Sequence, residues 1–454
     1  MTDDLRPRFL VIGGGPGGVA AATGAAIHGA AVTVVESDII GGAAHLWDCI
    51  PSKALVASSM RLDSLRSAAR LGIGGVGLPA VDMAGLSERA RAIAQRLAGD
   101  TRELLESQGV EMITGRARLV GPHRAIAEAA GGDQEIEFDM AVISTGSRPW
   151  EPPWARVDGE RILTTRHSYH LPELPEHLIV IGSGVTGVEF VHVFASLGSR
   201  VTLLVSRQQV LPHRDPEVAA VLEEDFLGRD VHLLKGARAS SAEVRGDAVI
   251  VATEDGRRVE GSHVLLAVGS RPNSTGLGLE EVGIATENGY VVVDEMLRTT
   301  LPHVYAAGDV TGRIPLASVA AMHGRRIARH ALGLPVRPTA SEAVAQAIFT
   351  EPEIASVGLE EADARAAGRK VRITKVPFAA NPRALIQGNP TGFVKVISDP
   401  ATHVVLGGTI VGHHASELIG ILALAAQAGL RVDALVDTLM VHPSLAESLA
   451  DAAD

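Results

Sequence analysis

A pattern of strand, glycine turn, helix and strand occurs twice in the 454-residue sequence, and it constrains the fold more than any other feature. The first copy, FLVIGGGPGGVAAATGAAIHGAAVTVVES, covers residues 9–37, and the second, LIVIGSGVTGVEFVHVFASLGSRVTLLVSR, covers residues 178–207. In such a turn the first glycine permits tight bending, the second admits a pyrophosphate, and the third lets the helix pack closely. The pattern therefore predicts an α/β protein with two Rossmann-like domains, each binding a dinucleotide. The glycines are Gly13, Gly15 and Gly18 in the first copy, and Gly182, Gly184 and Gly187 in the second.

The two copies differ at the residue that ends the second strand. The first copy ends in Glu36, a carboxylate that can accept a hydrogen bond from a ribose hydroxyl. The second copy ends in Ser206 and Arg207, which favour a 2′-phosphate and therefore NADPH. Gly187 favours NADH instead, because NADP-binding turns often carry alanine there. We expect NADPH use with tolerance of NADH, and a solvated surface arginine is the alternative interpretation of Arg207.

The net charge and the cysteine content limit which partners and which cellular compartment we expect for the protein. The formal net charge of −12 disfavours nucleic acid or an anionic membrane surface as the main partner. No apolar run approaches the ~20 residues of a membrane helix. Cys49 is the only cysteine in the sequence, so the chain cannot form an internal disulfide, and the reducing cytoplasm is the expected location.

Several ordered motifs resemble those of the class I pyridine nucleotide–disulfide oxidoreductases, the family of lipoamide dehydrogenase and glutathione reductase. CIPSKAL at 49–55 is similar to the redox-helix motif of the family. The other motifs are VISTGSRP at 142–149, LLAVGSRPN at 265–273, VYAAGDV at 304–310, FTEPEIASVGLEE at 349–361 and HPSLAESL at 442–449. The resemblance implies bound FAD, a diffusible NADPH or NADH, and a homodimer.

The resemblance also implies an order of domains. An FAD-binding domain is expected at 1–149, an NAD(P)-binding domain at 150–270, the central part of the FAD-binding domain at 271–338, and a C-terminal α+β dimerisation domain at 339–454. Proline-rich joints (SRPWEPPW, SRPN and GLPVRPT) fall at the proposed boundaries and agree with this division.

The family motifs imply roles for individual residues. Lys53 and Glu189 are expected to meet beside the flavin, where hydride arrives, and His442 and Glu447 to form a dyad that reaches into the partner's site. Cys49 completes the expected catalytic set. The expected FAD-binding residues are Gly13, Gly15, Gly18, Glu36, Gly41, Gly42, Thr145, Gly146, Arg271 and Asp309. The expected NAD(P)-binding residues are Gly182, Gly184, Gly187, Glu189, Ser206, Arg207 and Gly269.

One position departs from the family pattern and decides the expected chemistry. Family members that reduce disulfides carry a cysteine where this chain has Ala44, five residues before Cys49. A dithiol relay within one subunit is therefore impossible. The loop resembles that of an atypical branch of lipoamide dehydrogenase homologues that reduce quinones. We therefore expect an FAD-dependent oxidoreductase that passes hydride from NAD(P)H to a small non-disulfide acceptor, most simply a quinone.

Other interpretations stay open. A soluble pyridine nucleotide transhydrogenase is one alternative, and a non-catalytic flavoprotein sensor or scaffold is another. Cys49 is either a thiolate that turns over or an inherited thiol that tunes the flavin. His45 and Cys49 have helical spacing, but two ligands make a poor metal site, so no metal is expected. Trp47 is expected to pack or to shape the pocket.

Overall fold

A computed structural model describes residues 6–77, 79–336 and 343–454. The expected boundary between 338 and 339 lies outside the described residues. No helix in the described ranges is both long and apolar enough to cross a membrane.

The helices, in chain order, are α1 (Pro16–Ile27), α2 (Gly42–Leu46), α3 (Cys49–Ser67), α4 (Met83–Ser107), α5 (Val185–Leu197), α6 (Pro216–Gly228), α7 (Ala317–Ala331), α8 (Glu361–Ala366), α9 (Pro382–Ile386), α10 (Ala415–Ala428), α11 (Val432–Val436) and α12 (Glu447–Ala453). The strands of the first half are β1 (Arg8–Ile12), β2 (Ala31–Glu36), β3 (Glu111–Gly121), β4 (Arg124–Ala129), β5 (Gly132–Glu137), β6 (Met140–Ile143), β7 (Ser147–Pro149), β8 (Ile162–Thr164), β9 (His177–Ile181), β10 (Arg200–Val205) and β11 (His232–Lys235). Those that follow are β12 (Ala239–Arg245), β13 (Ala248–Thr253), β14 (Arg258–Gly261), β15 (His263–Leu266), β16 (Ser270–Pro272), β17 (Thr286–Glu287), β18 (Tyr290–Val291), β19 (Val304–Ala306), β20 (Gln346–Ile348), β21 (Glu353–Gly358), β22 (Arg372–Pro377), β23 (Phe393–Ser398) and β24 (Val405–Gly412).

The chain forms two compact units. Within the described ranges, unit 1 comprises residues 6–52, 87–150 and 269–336, and unit 2 comprises the remainder. These units do not decide the expected domain boundaries, which stay predictions.

Unit 1 is built on a seven-stranded sheet in the order β19-β6-β1-β2-β3-β4-β5. The strands from β19 to β3 are parallel, and β4 and β5 continue the sheet antiparallel. The central strand β1 reads RFLVI and is buried after its first residue, as expected for a parallel strand that is covered on both faces. The glycine turn that follows β1 therefore lies at the carboxyl edge of the sheet, where ligands of such folds bind.

Helices α1 and α7 of unit 1 pack closely because glycines line their contact. A Cβ atom added at Gly324 of α7 would overlap the carbonyl oxygen of Gly17 in α1, and one added at Gly24 would lie 2.9 Å from the Cβ atom of Ala328. Small residues at these positions let the two helix backbones approach, and this fixes the turn at the start of α1.

Unit 2 contains a five-stranded parallel sheet in the order β11-β10-β9-β15-β8 and a three-stranded antiparallel sheet, β12-β13-β14. It also contains the C-terminal antiparallel sheet β20-β21-β24-β23-β22, with α10 packed against β21 and β24. Apolar residues of α3, α5 and both five-stranded sheets share one buried cluster in this unit, so α3 has a fixed position beside α5.

Candidate functional site

The first glycine turn, in unit 1, has the shape that the spacing predicts. Gly13 has φ of +100°, a conformation that side chains rarely adopt, and a Cβ atom there would approach the carbonyl of Ser144. A Cβ atom at Gly18 would overlap the carbonyl oxygen of Gly13. Both residues must therefore be glycine for α1 to begin where it does.

Glu36 and the Gly41–Gly42 pair also contact this turn. The Glu36 carboxylate accepts the N–H of Gly14 at 2.6 Å and the N–H of Asp38 at 2.8 Å. The N–H of Gly41 donates to the Gly14 carbonyl at 2.7 Å, and a Cβ atom at Gly42 would lie 2.9 Å from the Cα atom of Gly15. The structure thus gathers these predicted FAD-binding residues around one turn.

Asp309 and Thr145 lie in a second polar group of unit 1. Ser147 donates from its hydroxyl to the Asp309 carboxylate at 2.8 Å. The Thr145 hydroxyl donates to the carbonyl of Asn273 at 2.7 Å, and the Asn273 amide donates back to the Thr145 carbonyl at 3.0 Å. The Thr145–Asn273 bonds close one end of the β7–β16 pair, and the Ser147 bond ties β7 to the segment that follows β19.

The other unit 1 residues expected at the cofactors surround the same pair of strands. The carbonyl of Gly146 accepts the N–H of Asn273 at 3.0 Å, and that of Gly269 accepts the N–H of Trp150 at 2.9 Å. The guanidinium of Arg271 is exposed and lies over the Trp150 ring, 5.2 Å from its centroid. The FAD role of Arg271 and the NAD(P) role of Gly269 stay predictions.

The second glycine turn, in unit 2, repeats the geometry of the first. Gly182 has φ of +114°, and a Cβ atom at Gly187 would overlap the carbonyl oxygen of Gly182. Ser206 and Arg207 follow the end of β10, and both are exposed. The guanidinium of Arg207 has no hydrogen-bond or ion-pair partner within the described ranges, so it is free to meet an anion.

Lys53 and Glu189 form an ion pair within unit 2, although 136 residues separate them in the sequence. The Lys53 Nζ atom lies 2.8 Å from Glu189 Oε2, and it also stands over the Phe349 ring, 4.7 Å from the centroid. Glu189 Oε1 accepts the backbone N–H of Phe349 at 3.0 Å. The lysine charge is therefore held by a carboxylate that is itself fixed by the backbone, with an aromatic face beside it.

Cys49 is the first residue of α3 and is half-buried, while Ala44 lies in the short helix α2. Trp47, between them, donates from Nε1 to Asp38 at 3.3 Å. His45 packs on Gly41, where a Cβ atom would overlap the imidazole ring, and burial lowers the pKa of His45 although the Ile40 carbonyl opposes this shift. Ala44 thus stands in an ordered loop that has no second sulfur.

His442 and Glu447 form the expected pair within unit 2. The His442 Nδ1 atom lies 2.8 Å from Glu447 Oε1, and Glu447 Oε2 accepts the N–H of Ser444 at 2.8 Å. The Ser444 N–H and His442 together lower the pKa of the Glu447 carboxyl. Because Nδ1 faces the carboxylate, Nε2 is the ring nitrogen on the far side from Glu447, and the His442 side chain is 71% exposed.

The residues present fit the two dinucleotides. A Cβ atom at Gly184 would meet nothing within 4 Å, and one at Gly15 would meet only the Ser144 oxygen, at 4.0 Å, so a pyrophosphate has room at each turn. No side chain caps the helix that starts at either turn. The first turn of α5, and that of α1 after Pro16, would therefore offer backbone N–H groups to phosphate oxygens.

Two glycine turns on parallel sheets, a carboxylate after the first and a lysine–glutamate pair define the class of oxidoreductases that use two dinucleotides. The chain belongs to the pyridine nucleotide-disulphide oxidoreductase family: residues 7–324 match the model of that family and residues 344–453 match its dimerisation domain. The family uses FAD and NAD(P)H, which confirms the predicted cofactors. The predicted fold class, with two Rossmann-like domains and a C-terminal dimerisation domain, is also confirmed.

Relatives of the chain carry more than one name. An NAD(P)H dehydrogenase (quinone) from Mycobacterium tuberculosis is 44% identical, and the match covers 98% of this chain and 93% of the relative. A dihydrolipoyl dehydrogenase from Haloferax volcanii is 38% identical over 98% of this chain and 95% of its own length. The crystal structure of LpdA from Mycobacterium tuberculosis superposes with a TM-score of 0.94 at 44% identity, covering 98% of this chain and 99% of that one.

Sequence reasoning missed three residues that the structure brings to these groups: Phe349, Ser147 and Asn273. Phe349 opens the quoted motif FTEPEIASVGLEE, but its link to Glu189 spans 160 residues and has no local signal. Ser147 lies two residues after Thr145 in the motif VISTGSRP, and Asn273 lies four residues after Gly269 in the motif LLAVGSRPN. Both have polar side chains and lie in the same motifs as predicted cofactor-binding residues, and this was the signal that could have identified them.

Proposed function

We propose that the protein is an NAD(P)H:quinone oxidoreductase. The balanced reaction is NAD(P)H + H⁺ + quinone → NAD(P)⁺ + hydroquinone. The observation that carries the proposal is the single sulfur: Cys49 begins α3, Ala44 occupies the place of a second cysteine, and no other cysteine exists. The name of the 44% identical relative, an NAD(P)H dehydrogenase (quinone), supports the same acceptor.

Different residues of the chain would have different roles in this reaction. The two glycine turns would hold the pyrophosphates, and Glu36 and Asp309 would bind the sugar and ribityl hydroxyls of the first dinucleotide. Lys53, fixed by Glu189 and Phe349, would orient the nicotinamide ring and stabilise the negative charge that hydride brings. When bound, FAD supplies the two-electron chemistry that links nicotinamide and acceptor.

Protons need a separate source, because a quinone that takes up a hydride also takes up a proton. His442, oriented by Glu447, would hold a proton at Nε2 and deliver it to the acceptor oxygen. Cys49 would be a second proton donor. The dyad is exposed at the surface of the single chain, and Leu439 and Val441 beside it are 99% and 76% exposed. This apolar exposure and the dimerisation domain support a homodimer in which the dyad serves the partner's site. We place this dimer in the cytoplasm.

The relatives named dihydrolipoyl dehydrogenase raise disulfide reduction as a second function, but that chemistry needs the sulfur that Ala44 lacks. A transhydrogenase needs no second sulfur, so that alternative stays open to test. A flavoprotein sensor that does not turn over is a further alternative that stays open to test.

An anaerobic electron count tests the proposal. The FAD-loaded protein, titrated with dithionite, should take up about two electrons per subunit, because the flavin is its one two-electron centre. About four electrons would reveal a second redox centre beside the flavin and would contradict the proposal. In the steady state with NADPH, menadione should turn over faster than an oxidised NAD analogue. Faster turnover with the NAD analogue would indicate that the protein is a transhydrogenase. Turnover with neither acceptor would indicate a sensor.

A further inference from the structure

Arg229 lies directly after α6 and its guanidinium binds several elements of unit 2 at once. Nη1 donates to His192 Nδ1 at 3.0 Å and to Ser196 Oγ at 2.8 Å, both on α5. Nη2 donates to the carbonyl of Glu351 at 2.6 Å and lies 2.7 Å from Asp225 Oδ2. One planar, permanently charged group thus joins α5, α6 and the segment that precedes β21.

The same guanidinium reaches α3. Nη1 lies 3.5 Å from Asp63 Oδ2, and the Ser196 hydroxyl donates to the same carboxylate oxygen at 2.5 Å. Lys53 and Glu189 join the two helices near their N-terminal ends, and Asp63 and Ser196 join them near their C-terminal ends. The helices are therefore held in register at two points, and Arg229 serves the second.

His192 stays neutral in this arrangement. Burial, followed by the charge of Arg229, lowers the pKa of His192 to about 4. A neutral ring can accept the guanidinium N–H at Nδ1, whereas a protonated ring would repel it. Glu351 does not compete for Arg229 through its carboxylate, which Asn389 and His413 hold at 2.9 and 3.3 Å.

The segment Phe349–Glu351 is the link to the Lys53 site. Its first N–H is bound by Glu189 and its last carbonyl is bound by Arg229. Between these two bonds the chain carries the Phe349 ring on which the Lys53 charge rests. If the carbonyl of Glu351 lost its donor, the ring and the N–H at the other end of this short segment would lose their fixed position.

We infer that Arg229 is a positioning residue for hydride transfer: it fixes α3, α5 and the segment Phe349–Glu351, and through them the geometry of Lys53, Glu189 and Phe349. The inference rests on the proposed role of the Lys53–Glu189 pair at the hydride site. It does not depend on which acceptor is used, since reduction of the flavin by NADPH involves no acceptor.

The test compares Arg229→Met with Arg66→Ala in the FAD-loaded protein. Arg66 is the matched control, because it binds Asp63 Oδ1 at 2.7 Å on the exposed side of α3. Hydrogen–deuterium exchange at the Phe349 amide should become at least about tenfold faster in Arg229→Met, since its acceptor loses a fixed position. Exchange in the strands of the parallel sheet of unit 2 should not change, and Arg66→Ala should match the parent throughout.

Rapid mixing with NADPH gives the second readout. Flavin reduction should slow about 100-fold in Arg229→Met, with the NADPH dissociation constant nearly unchanged, because a small misplacement of reacting groups has an effect of this size. A deuteride-labelled NADPH should show a fully expressed isotope effect. Arg229→Lys should be intermediate, since it keeps the charge and loses the fork.

Reduction at the parent rate in Arg229→Met, an equal loss in Arg66→Ala, or faster exchange spread over all of unit 2 would each overturn the inference. If Arg229→Met does not fold, Ser196→Ala provides the same comparison at the Asp63 contact. Lys53→Met separates the two proposals. If Lys53→Met is reduced at the parent rate while Arg229→Met still loosens Phe349, the proposed role of Lys53 fails and the positioning contact stands.

Discussion

Glu36 and Arg207 follow equivalent strands of the two repeats, but the structure gives them different surroundings. Glu36 accepts two backbone N–H groups, which leaves its remaining lone pairs for hydroxyl donors. The Arg207 guanidinium is exposed and has no partner within the described part of the chain, while its carbonyl accepts the N–H of Gly236 at 3.0 Å. A fixed backbone with a free cationic side chain suits recognition of a phosphate.

Arg207→Glu should therefore lower the preference for NADPH over NADH. Loss of a charge-assisted hydrogen bond of about 1.5–3 kcal/mol corresponds to roughly 10- to 150-fold in relative kcat/KM. Arg200→Glu is the control, since it makes the same charge change at the other end of β10. An unchanged preference in Arg207→Glu would assign this arginine to the solvated surface.

His442 is the residue on which proton delivery depends in our proposal. His442→Ala should slow the reoxidation of reduced protein by a two-electron quinone about 100-fold, since a positioned acid contributes about 10²–10⁴-fold. Reduction by NADPH and reoxidation by ferricyanide should change little, because neither step needs this proton. Stopped-flow measurement of each half-reaction separates the cases. Parent-rate reoxidation by quinone in an intact dimer would make the dyad an inherited structural element.

Helix α7 carries a buried titratable group that no step of the proposed mechanism uses. His323 precedes Gly324 at the contact with α1 and is 6% exposed. Burial lowers the pKa of His323 from 6.5 to about 4, and the guanidinium groups of Arg326 and Arg313 add to this shift. The folded protein therefore keeps this ring neutral at pH values where the unfolded chain protonates it.

The sign of the pH effect follows from this depressed pKa. As pH falls from 6.5 towards about 4, the unfolded chain binds a proton that the folded chain does not, so stability decreases. The loss is about 2 kcal/mol once solvent screening is allowed for. His323→Gln should remove this pH-dependent loss of stability. The difference in thermal midpoint between parent and variant should therefore be smaller at about pH 5 than at about pH 7. A constant difference for His323→Gln would contradict this expectation.

The elements also show what sequence can and cannot predict. The two strand–turn–helix repeats were predictable, because the glycines act through backbone conformation and close approach within a few residues. The contacts of Phe349 with Glu189 and of Arg229 with Asp63 were not, because they join residues more than 150 positions apart through the packing of α3, α5 and α6. The pairing of Lys53 with Glu189 was predictable only through the resemblance of two separate motifs.

The sequence combines both domain types of the family with an alanine, Ala44, where disulfide-reducing members carry a cysteine. Both glycine turns, the Lys53–Glu189 pair and the His442–Glu447 pair are present, while Ala44 leaves Cys49 as the only sulfur-bearing cysteine of the sequence. The apolar Leu439 and Val441 beside His442 are exposed on one chain, which supports a function that two chains complete. We therefore propose that electrons leave the flavin directly for a small conjugated acceptor.

The most direct test mixes the anaerobic, NADPH-reduced protein with either menadione or oxidised lipoamide and follows the return of flavin absorbance. We predict reoxidation by menadione at least about 100-fold faster than by lipoamide, because a disulfide acceptor would lose the nucleophilic relay on which such steps depend. Comparable rates with the two acceptors, or faster reoxidation by the disulfide, would contradict direct electron transfer to a quinone.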